Sequence, residues 1–299
     1  MSSRDAQRTL ARSFEFEGLG IHSGVPCRAT VCPAEAGRGI RFLRTDVPDA
    51  PELTVADIAE PGLPGRTIIG SGSACVQTIE HILAGLWTME VDNALVEVAG
   101  PEIPAVDGSA LPFAEAVAEA GLVELAAPRD CAVVKKEIAI SEGGPGGASI
   151  AAAPSDVGGL SITYTLHYEG SPLAQGTASF EITPETFLAE IAPARTFCMA
   201  HEVEALRSAG LGKGATGENT LIIDGGNVIG NRLRMPSEPV RHKILDMLGD
   251  MALVGTRLRA RIEGNRSGHA LNRRMAARIR SAEPGEVELA AHEVGAPPR

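Results

Sequence analysis

The stretch VRHKILDMLGD, residues 240–250, sets His242, Asp246 and Asp250 four residues apart. Val240, Ile244, Leu245, Met247, Leu248 and Met251 surround them, so the segment reads as a mostly buried helix. Side chains at i, i+4 and i+8 of such a helix lie along one face. Left unpaired in a core, they would cost several kcal/mol. A divalent metal held by His242 and Asp246 removes that cost, because imidazole nitrogen and carboxylate oxygen are both zinc ligands and one helical turn brings both to one ion. Asp250, a turn further on, falls just beyond the ion, where a carboxylate orients a histidine. A capped or salt-bridged polar stripe explains the segment at least as well on its own, and the metal reading needs a third ligand from elsewhere.

Composition narrows the setting. At 299 residues with 44% apolar content the chain is globular and long enough for two domains or one large one. The formal net charge is −11 and no run of lysine or arginine offers a phosphate-tracking patch, which argues against nucleic acid as a partner. The N-terminal MSSRDAQRTLARSFEFEG has no apolar core of a secretory signal. Nothing approaches about 18 uninterrupted apolar residues, so no membrane span is expected. A soluble, cytoplasmic, monomeric protein follows. Its five cysteines (Cys27, Cys32, Cys75, Cys131, Cys198) are read as reduced, being odd in number in a large chain without an export signal.

Along the chain, strand-like runs at 27–33, 39–44 and 52–57 precede an amphipathic helix at about 77–89 and a strand at 94–98. The turn-rich GPEIPAVDGSALPF (100–113) leads into a second helix, about 112–121, and AAPRD (126–130) reads as a linker. Strands follow at 132–140, 148–154 and 160–168, separated by Gly-rich turns. The segment 182–194 reads as helical, with Thr183 as N-cap before Pro184. Next come a strand at 218–224, the helix 239–254, a strand at 257–264 and a last helix near 268–282; the tail 293–299 is expected to fray. Strands followed by helices, twice over, imply an α+β architecture of two layers per domain.

Seven histidines are candidates for the missing ligand. His81 follows Glu80 inside the apolar helix TIEHILAGL (78–86). If His81 binds a metal, Glu80 is close enough to act as a base without ligating, though a solvated Glu-His pair at a helix start is the plainer reading. His269, in NRSGHALN (265–272), follows a Ser-Gly turn; a helix N-terminus favours its neutral form. A capping or surface role is equally open to it. His22 lies in the glycine loop GLGIHSG (18–24), where structural and catalytic uses are both open. His201 and His292 are expected in solvent, and His167 late in a strand.

Taken together, GLGIHSG (18–24), TIEHILAGL (78–86), VDNALVEVAGPEIPAVDGSALPF (91–113), ARTF (194–197), VRHKILDMLGD (240–250) and SGHALN (267–272) strongly resemble the UDP-3-O-acyl-N-acetylglucosamine deacetylases, the zinc amidases at the committed step of lipid A synthesis. The matches fall in order across nearly the whole chain. The resemblance implies one zinc per chain, with His81, His242 and Asp246 as ligands and one position left for water. It implies Glu80 as general base, and His269 as the group that stabilises the oxyanion and can protonate the leaving amine, with Asp250 as a partner that would raise its pKa and favour the imidazolium. Thr196 matches a hydroxyl that helps to hold the oxyanion. Lys243 and Arg266 match basic contacts to head group and diphosphate, the latter more often lysine. The implied fold is two similar β/α domains, 1–127 and 131–299, packed as a sandwich with the site between them. A β-α-β insert in the second domain makes an apolar passage for the acyl chain, and Phe197, Met199, Val203, Leu206 and Leu211 would line it; ordinary core packing accounts for them equally.

Three positions depart from the family pattern. Gly70 stands where some members carry a cysteine, Glu202 where aspartate is frequent, and GLGKGATGEN (210–219) is glycine-rich, which implies a looser loop. Two other readings stay open: a zinc amidohydrolase acting on a different acylated sugar, and a nucleotide-lipid binder that has lost its metal. The small-molecule partner implied by the resemblance is a nucleotide-lipid.

Overall fold

The computed structural model describes residues 6–58, 65–144 and 146–291, so the expectations for His292 and the 293–299 tail fall outside it. The architecture is α+β. The first half of the chain forms β1 (Ala6–Leu10), β2 (Phe14–Leu19), β3 (Pro26–Pro33), β4 (Ile40–Arg44), the short pair β5 (Ile68–Ile69) and β6 (Val76–Gln77), α1 (Glu80–Thr88), β7 (Ala94–Ala99), α2 (Leu111–Ala120) and β8 (Leu122–Pro128). Its main sheet runs β2-β3-β7-β4, antiparallel except where β4 lies beside β7. Period-two alternation buries Ala29 and Val31 of β3 with Ala94, Val96 and Val98 of β7. These join Leu83 and Leu86 of α1 and Phe113 and Val117 of α2 in one apolar core.

The second half comprises β9 (Asp130–Val134), β10 (Ile138–Ser141), β11 (Ser149–Ala153), β12 (Leu160–His167), β13 (Gln175–Glu181), α3 (Pro184–Thr186), β14 (Thr196–Met199), α4 (Val203–Ser208), β15 (Thr220–Asp224), β16 (Asn227–Ile229), α5 (Glu238–Met251), β17 (Arg257–Asn265), α6 (His269–Arg280) and β18 (Val287–Ala291). Its sheet runs β10-β11-β17-β12-β13, with β9, itself paired to β18, beside the start of β17. Parallel β14 and β15, with α4 between them, form a β-α-β unit that β16 extends.

The two halves meet where α5 crosses α1. Gly249 of α5 permits the contact: a Cβ there would stand 2.0 Å from the carbonyl oxygen of Glu80. A second tie is the Asp92 carboxylate, which accepts from the Arg8 N–H at 2.7 Å, Arg129 Nε at 2.8 Å and Arg257 Nε at 2.9 Å. Arg129, at 1% exposure, shows why 126–130 is not the linker its composition suggests. One strand ends at Pro128, the next starts at Asp130, and the arginine between them is buried in a cross-chain ion network.

Other expectations also shift. Residues 52–57 contribute only a bridge between Leu53 and Phe42, because Asp57 accepts from the Thr54 backbone and hydroxyl and closes a turn. The run 132–140 breaks into β9 and β10. Thr183 does cap its helix, its hydroxyl accepting from the Thr186 N–H at 3.1 Å, but α3 passes at once into a wider π-type turn over 187–191. The first long helix begins at Glu80 rather than Gln77, since Thr78 takes a left-handed backbone (φ 56°). Strands β1, β2, β5, β6, β8, β13, β14, β16 and β18 and helix α4 are absent from the residue-by-residue reading, although the resemblance implies a β-α-β insert in the second half.

Candidate active site

Glu80 and His81 form the first turn of α1, and the left-handed Thr78 before them is held by its hydroxyl donating to Glu102 Oε1 at 2.7 Å. The same Glu102 accepts the N–H groups of His22 (3.0 Å) and Ser23 (2.9 Å), so one buried carboxylate ties the glycine loop to the start of α1. On α5, helical spacing turns His242 and Asp246 towards His81. His242 Nε2 lies 3.3 Å and His81 Nε2 3.6 Å from Asp246 Oδ1, with the imidazole rings 5.0 Å apart and perpendicular. All three residues are buried, and their donor atoms lie within 4.8 Å of one another.

The donor set is prepared chemically as well as spatially. His242 Nδ1 donates to the Ala194 carbonyl at 3.0 Å, which leaves the Nε2 lone pair facing the cluster. Burial, with Lys243 and His81 nearby, pulls the His242 imidazole down to about 4, so it is neutral at pH 7. Burial works against an Asp246 anion, but His242, the Lys243 ammonium 2.6 Å from Oδ2 and His269 together outweigh it and keep the carboxyl well below its ordinary range. Burial would also lower Lys243, yet Asp246 holds it above its ordinary value. Two imidazole nitrogens and one carboxylate oxygen, buried and convergent, suit a divalent ion of the zinc type.

Glu80 and His269 stand beside this cluster. Glu80 Oε2 accepts the Thr67 N–H at 2.9 Å, while Oε1 lies 3.8 Å from His269 Nε2. Burial raises the Glu80 pKa, and the facing histidines only partly offset it. His269 opens α6, where the helix terminus was expected to favour its neutral form. The structure overrides that local preference. Burial does oppose the imidazolium, but Asp250 at 2.9 Å from Nδ1, helped by Asp246 and Glu80, pushes the pKa up to about 9. Asp250 is wholly buried and accepts two further bonds, from the Thr67 hydroxyl at 2.6 Å and Asn272 Nδ2 at 3.0 Å.

The ARTF segment aligns the opposite wall. Ala194 accepts from His242, and the Arg195 guanidinium pairs with Glu238 Oε1 at 2.9 Å, fixing β14 to the start of α5. Thr196 is anchored by its N–H to the Gly108 carbonyl at 2.9 Å. The Phe197 ring comes 6.2 Å from that of His242 and 6.0 Å from that of Tyr168. Of the apolar residues read as a passage, Met199 is core, whereas Phe197, Val203, Leu206 and Leu211 are half-buried. Arg266 stands apart from the cluster: it is exposed at the end of β17 in a left-handed conformation (φ 54°), and its Nη1 donates to the Gly146 carbonyl at 3.3 Å. The glycine-rich loop is seamed rather than loose at Lys213 and Gly214, whose N–H groups donate to the His22 and Ile21 carbonyls.

Sequence reasoning missed Thr67, Glu102 and Asn272. Only Asn272 carried a signal, one turn after His269 on the same helix; Thr67 and Glu102 act through contacts that no local spacing announces. His201 is exposed as expected, His167 is the last residue of β12, and the five cysteines are free. Among the described residues no helix is long and apolar enough to cross a membrane.

Residues 7–281 match the sequence profile of the family described as UDP-3-O-acyl N-acetylglycosamine deacetylase. Among similar curated proteins, a UDP-3-O-acyl-N-acetylglucosamine deacetylase of Nostoc sp. is 39% identical over 280 residues, 91% of this chain and 98% of that protein. One of Geotalea uraniireducens is 38% identical over 269 residues, 89% of this chain and 85% of its own length. A protein of Chlorobaculum tepidum named bifunctional enzyme LpxC/FabZ is 37% identical over 295 residues, and the match takes up 62% of that longer chain.

Proposed function

The chain belongs to the UDP-3-O-acyl N-acetylglycosamine deacetylase family, and we propose from its site how it carries out that reaction. It hydrolyses the acetamide of UDP-3-O-acyl-N-acetylglucosamine to the free amine and acetate, the step that commits material to lipid A. The observation that carries the mechanism is the meeting of three metal donors from two helices with a carboxylate on one side and a carboxylate-bound imidazole on the other.

In our reading His81 Nε2, His242 Nε2 and Asp246 Oδ1 would hold one zinc ion, and Lys243 occupies the second Asp246 oxygen. Such an ion supplies Lewis acidity, polarising the amide carbonyl and acidifying water. Glu80 is the general base: Thr67 fixes one of its oxygens, leaving the other to take a proton from the attacking water. His269 enters as an imidazolium held by Asp250 and stabilises negative charge on the carbonyl oxygen, with the Thr196 hydroxyl as a second donor. As the C–N bond breaks, Glu80 or His269 returns a proton to the amine.

Recognition of the remainder divides in two. Lys243 and Arg266 serve the head group and diphosphate, and Phe197 with the half-buried face of the β-α-β unit takes the acyl chain. Residues 1–127 and 131–299 act as two domains of a cytoplasmic monomer. The test is deacetylation of UDP-3-O-acyl-N-acetylglucosamine across a series of acyl lengths, with elemental analysis of the active protein. Turnover without bound zinc, or zinc without turnover on any acyl length, would remove this reading.

A further inference from the structure

Glu80 comes from the first half of the chain and the His269–Asp250 pair from the second, yet Glu80 Oε1 and His269 Nε2 stand only 3.8 Å apart. Thr67 reaches both sides. Its backbone N–H donates to Glu80 Oε2 at 2.9 Å, and its hydroxyl donates to Asp250 Oδ1 at 2.6 Å. The same hydroxyl oxygen lies 3.4 Å from His269 Nδ1. Local structure puts Thr67 there. It precedes β5, which pairs antiparallel with β6, and β6 leads through Thr78 and Ile79 into α1. The Ile79 N–H donates back to the Thr67 carbonyl at 3.4 Å, which lays Thr67 over the first turn of the helix.

Thr67 and Asp250 are both fully buried. A hydroxyl with no water to turn to donates to the strongest acceptor in reach, and here that is the carboxylate. Asp250 divides its oxygens: Oδ2 accepts from His269 Nδ1 and Asn272 Nδ2, and Oδ1 accepts from Thr67. With donors on both oxygens the carboxylate plane is fixed, and so is the direction of the imidazole it carries. Loss of the Thr67 hydroxyl would leave Oδ1 a buried acceptor without that donor. Rotation of the carboxylate towards another partner would then turn the ring with it.

We propose that Thr67 is a positioning residue for the deacetylation: its N–H on Glu80 and its hydroxyl on the partner of His269 set the separation of those two groups across the seam. This role rests on the proposed assignment of Glu80 as base and His269 as the imidazolium facing it. Thr67 itself touches no reacting atom. Attack and protonation need both groups aimed at one carbonyl, and a displacement of about 1 Å costs roughly a hundredfold in rate. The loss falls on turnover rather than on substrate affinity, because an interaction of this kind matters most in the transition state.

The test compares the unaltered protein, Thr67→Val and Thr67→Ser by steady-state deacetylation, elemental analysis and ¹⁵N-histidine NMR. Thr67→Val keeps the N–H and the shape of the side chain but loses the donor. It should retain zinc, lower kcat about ten- to a hundredfold and leave KM within about twofold. Thr67→Ser should recover most of kcat. In the NMR spectrum the Nδ1 proton of His269, identified by its loss in His269→Gln, should exchange with water faster in Thr67→Val than in the unaltered protein or Thr67→Ser. Should Thr67→Val fail to fold by circular dichroism, Thr67→Cys carries the comparison, its weaker S–H donor placing kcat below that of Thr67→Ser. Unchanged kcat and proton exchange in Thr67→Val, a loss of kcat that serine does not restore, a rise in KM in place of the fall in kcat, or loss of zinc would each overturn the proposal. Faster exchange in Thr67→Val of a protein that deacetylates nothing would keep the Thr67 tie and discard the reaction.

Discussion

Gly249 of α5 rests on the backbone of Glu80, the residue that opens α1, so closely that a single added methyl would stand 2.0 Å from the Glu80 carbonyl oxygen. This contact brings a base and a metal ligand on one helix up to two metal ligands on another. Gly249→Ala removes a helix-weakening glycine, a gain of about 1 kcal/mol, but must separate the helices. The separation should dominate, with a net loss of about 1–3 kcal/mol in denaturant unfolding and weaker zinc retention on dialysis. Unchanged stability with full zinc would mean that the crossing is looser than described.

His81→Ala and Asp246→Ala should each lower zinc occupancy sharply while leaving the fold largely intact, since a catalytic site is not the sole support of a core this size. Elemental analysis and far-UV circular dichroism of the purified variants check both halves of the expectation. Stripping zinc from the unaltered protein should lower Tm, because a ligand that binds only the folded state stabilises it by mass action.

Glu80→Gln should keep the Thr67 contact and the metal yet reduce turnover by roughly two to four orders of magnitude, the usual weight of a general base. Loss of zinc together with activity would move Glu80 into the ligand set.

His269 supplies the pH signature. Its folded pKa, pushed up to about 9, lies above the ordinary 6.5, so the stability that its proton contributes is complete below 6.5 and fades as pH rises through about 9. Activity that needs the imidazolium should fall over the same upper range, at a somewhat lower pH once zinc offsets the Asp246 charge. The acid limb should lie above the ordinary glutamate value, because burial raises Glu80. Asp250→Asn should move the basic limb to lower pH. A pH–rate profile unchanged by that substitution would assign the upper ionisation to another group.

Arg266→Ala should weaken nucleotide-bearing substrate about ten- to a hundredfold and leave an acylated glucosamine without diphosphate unaffected. A bulky substitution at Leu206 or Leu211 should do the reverse, sorting acyl lengths and sparing the nucleotide. KM measured on both substrate types separates the two effects.

Periodicity carried much of this. The i, i+4 spacing of His242 and Asp246 set both on one helix face, whereas the choice of His81 and Glu80 to join them came from the family resemblance. Thr67 and Glu102 were legible from neither, since each works across a gap in sequence that only the packed chain closes. The charge of His269 divided two readings: its helix terminus argued locally for the neutral form, whereas the resemblance implied an imidazolium held by Asp250, which arrives from another helix. AAPRD looked like a tether because composition cannot reveal that Arg129 is buried on Asp92.

That Asp92 carboxylate, shared by Arg8, Arg129 and Arg257, fastens the N-terminal strand, the junction and β17 at one point. Pinned there, the seam resists hinging. A ligand with a long tail is then expected to thread in endwise rather than enter by the halves swinging apart like a clamshell. Scattering profiles of free and ligand-bound protein should accordingly superimpose, and Asp92→Ala should be the change that lets the shell gape.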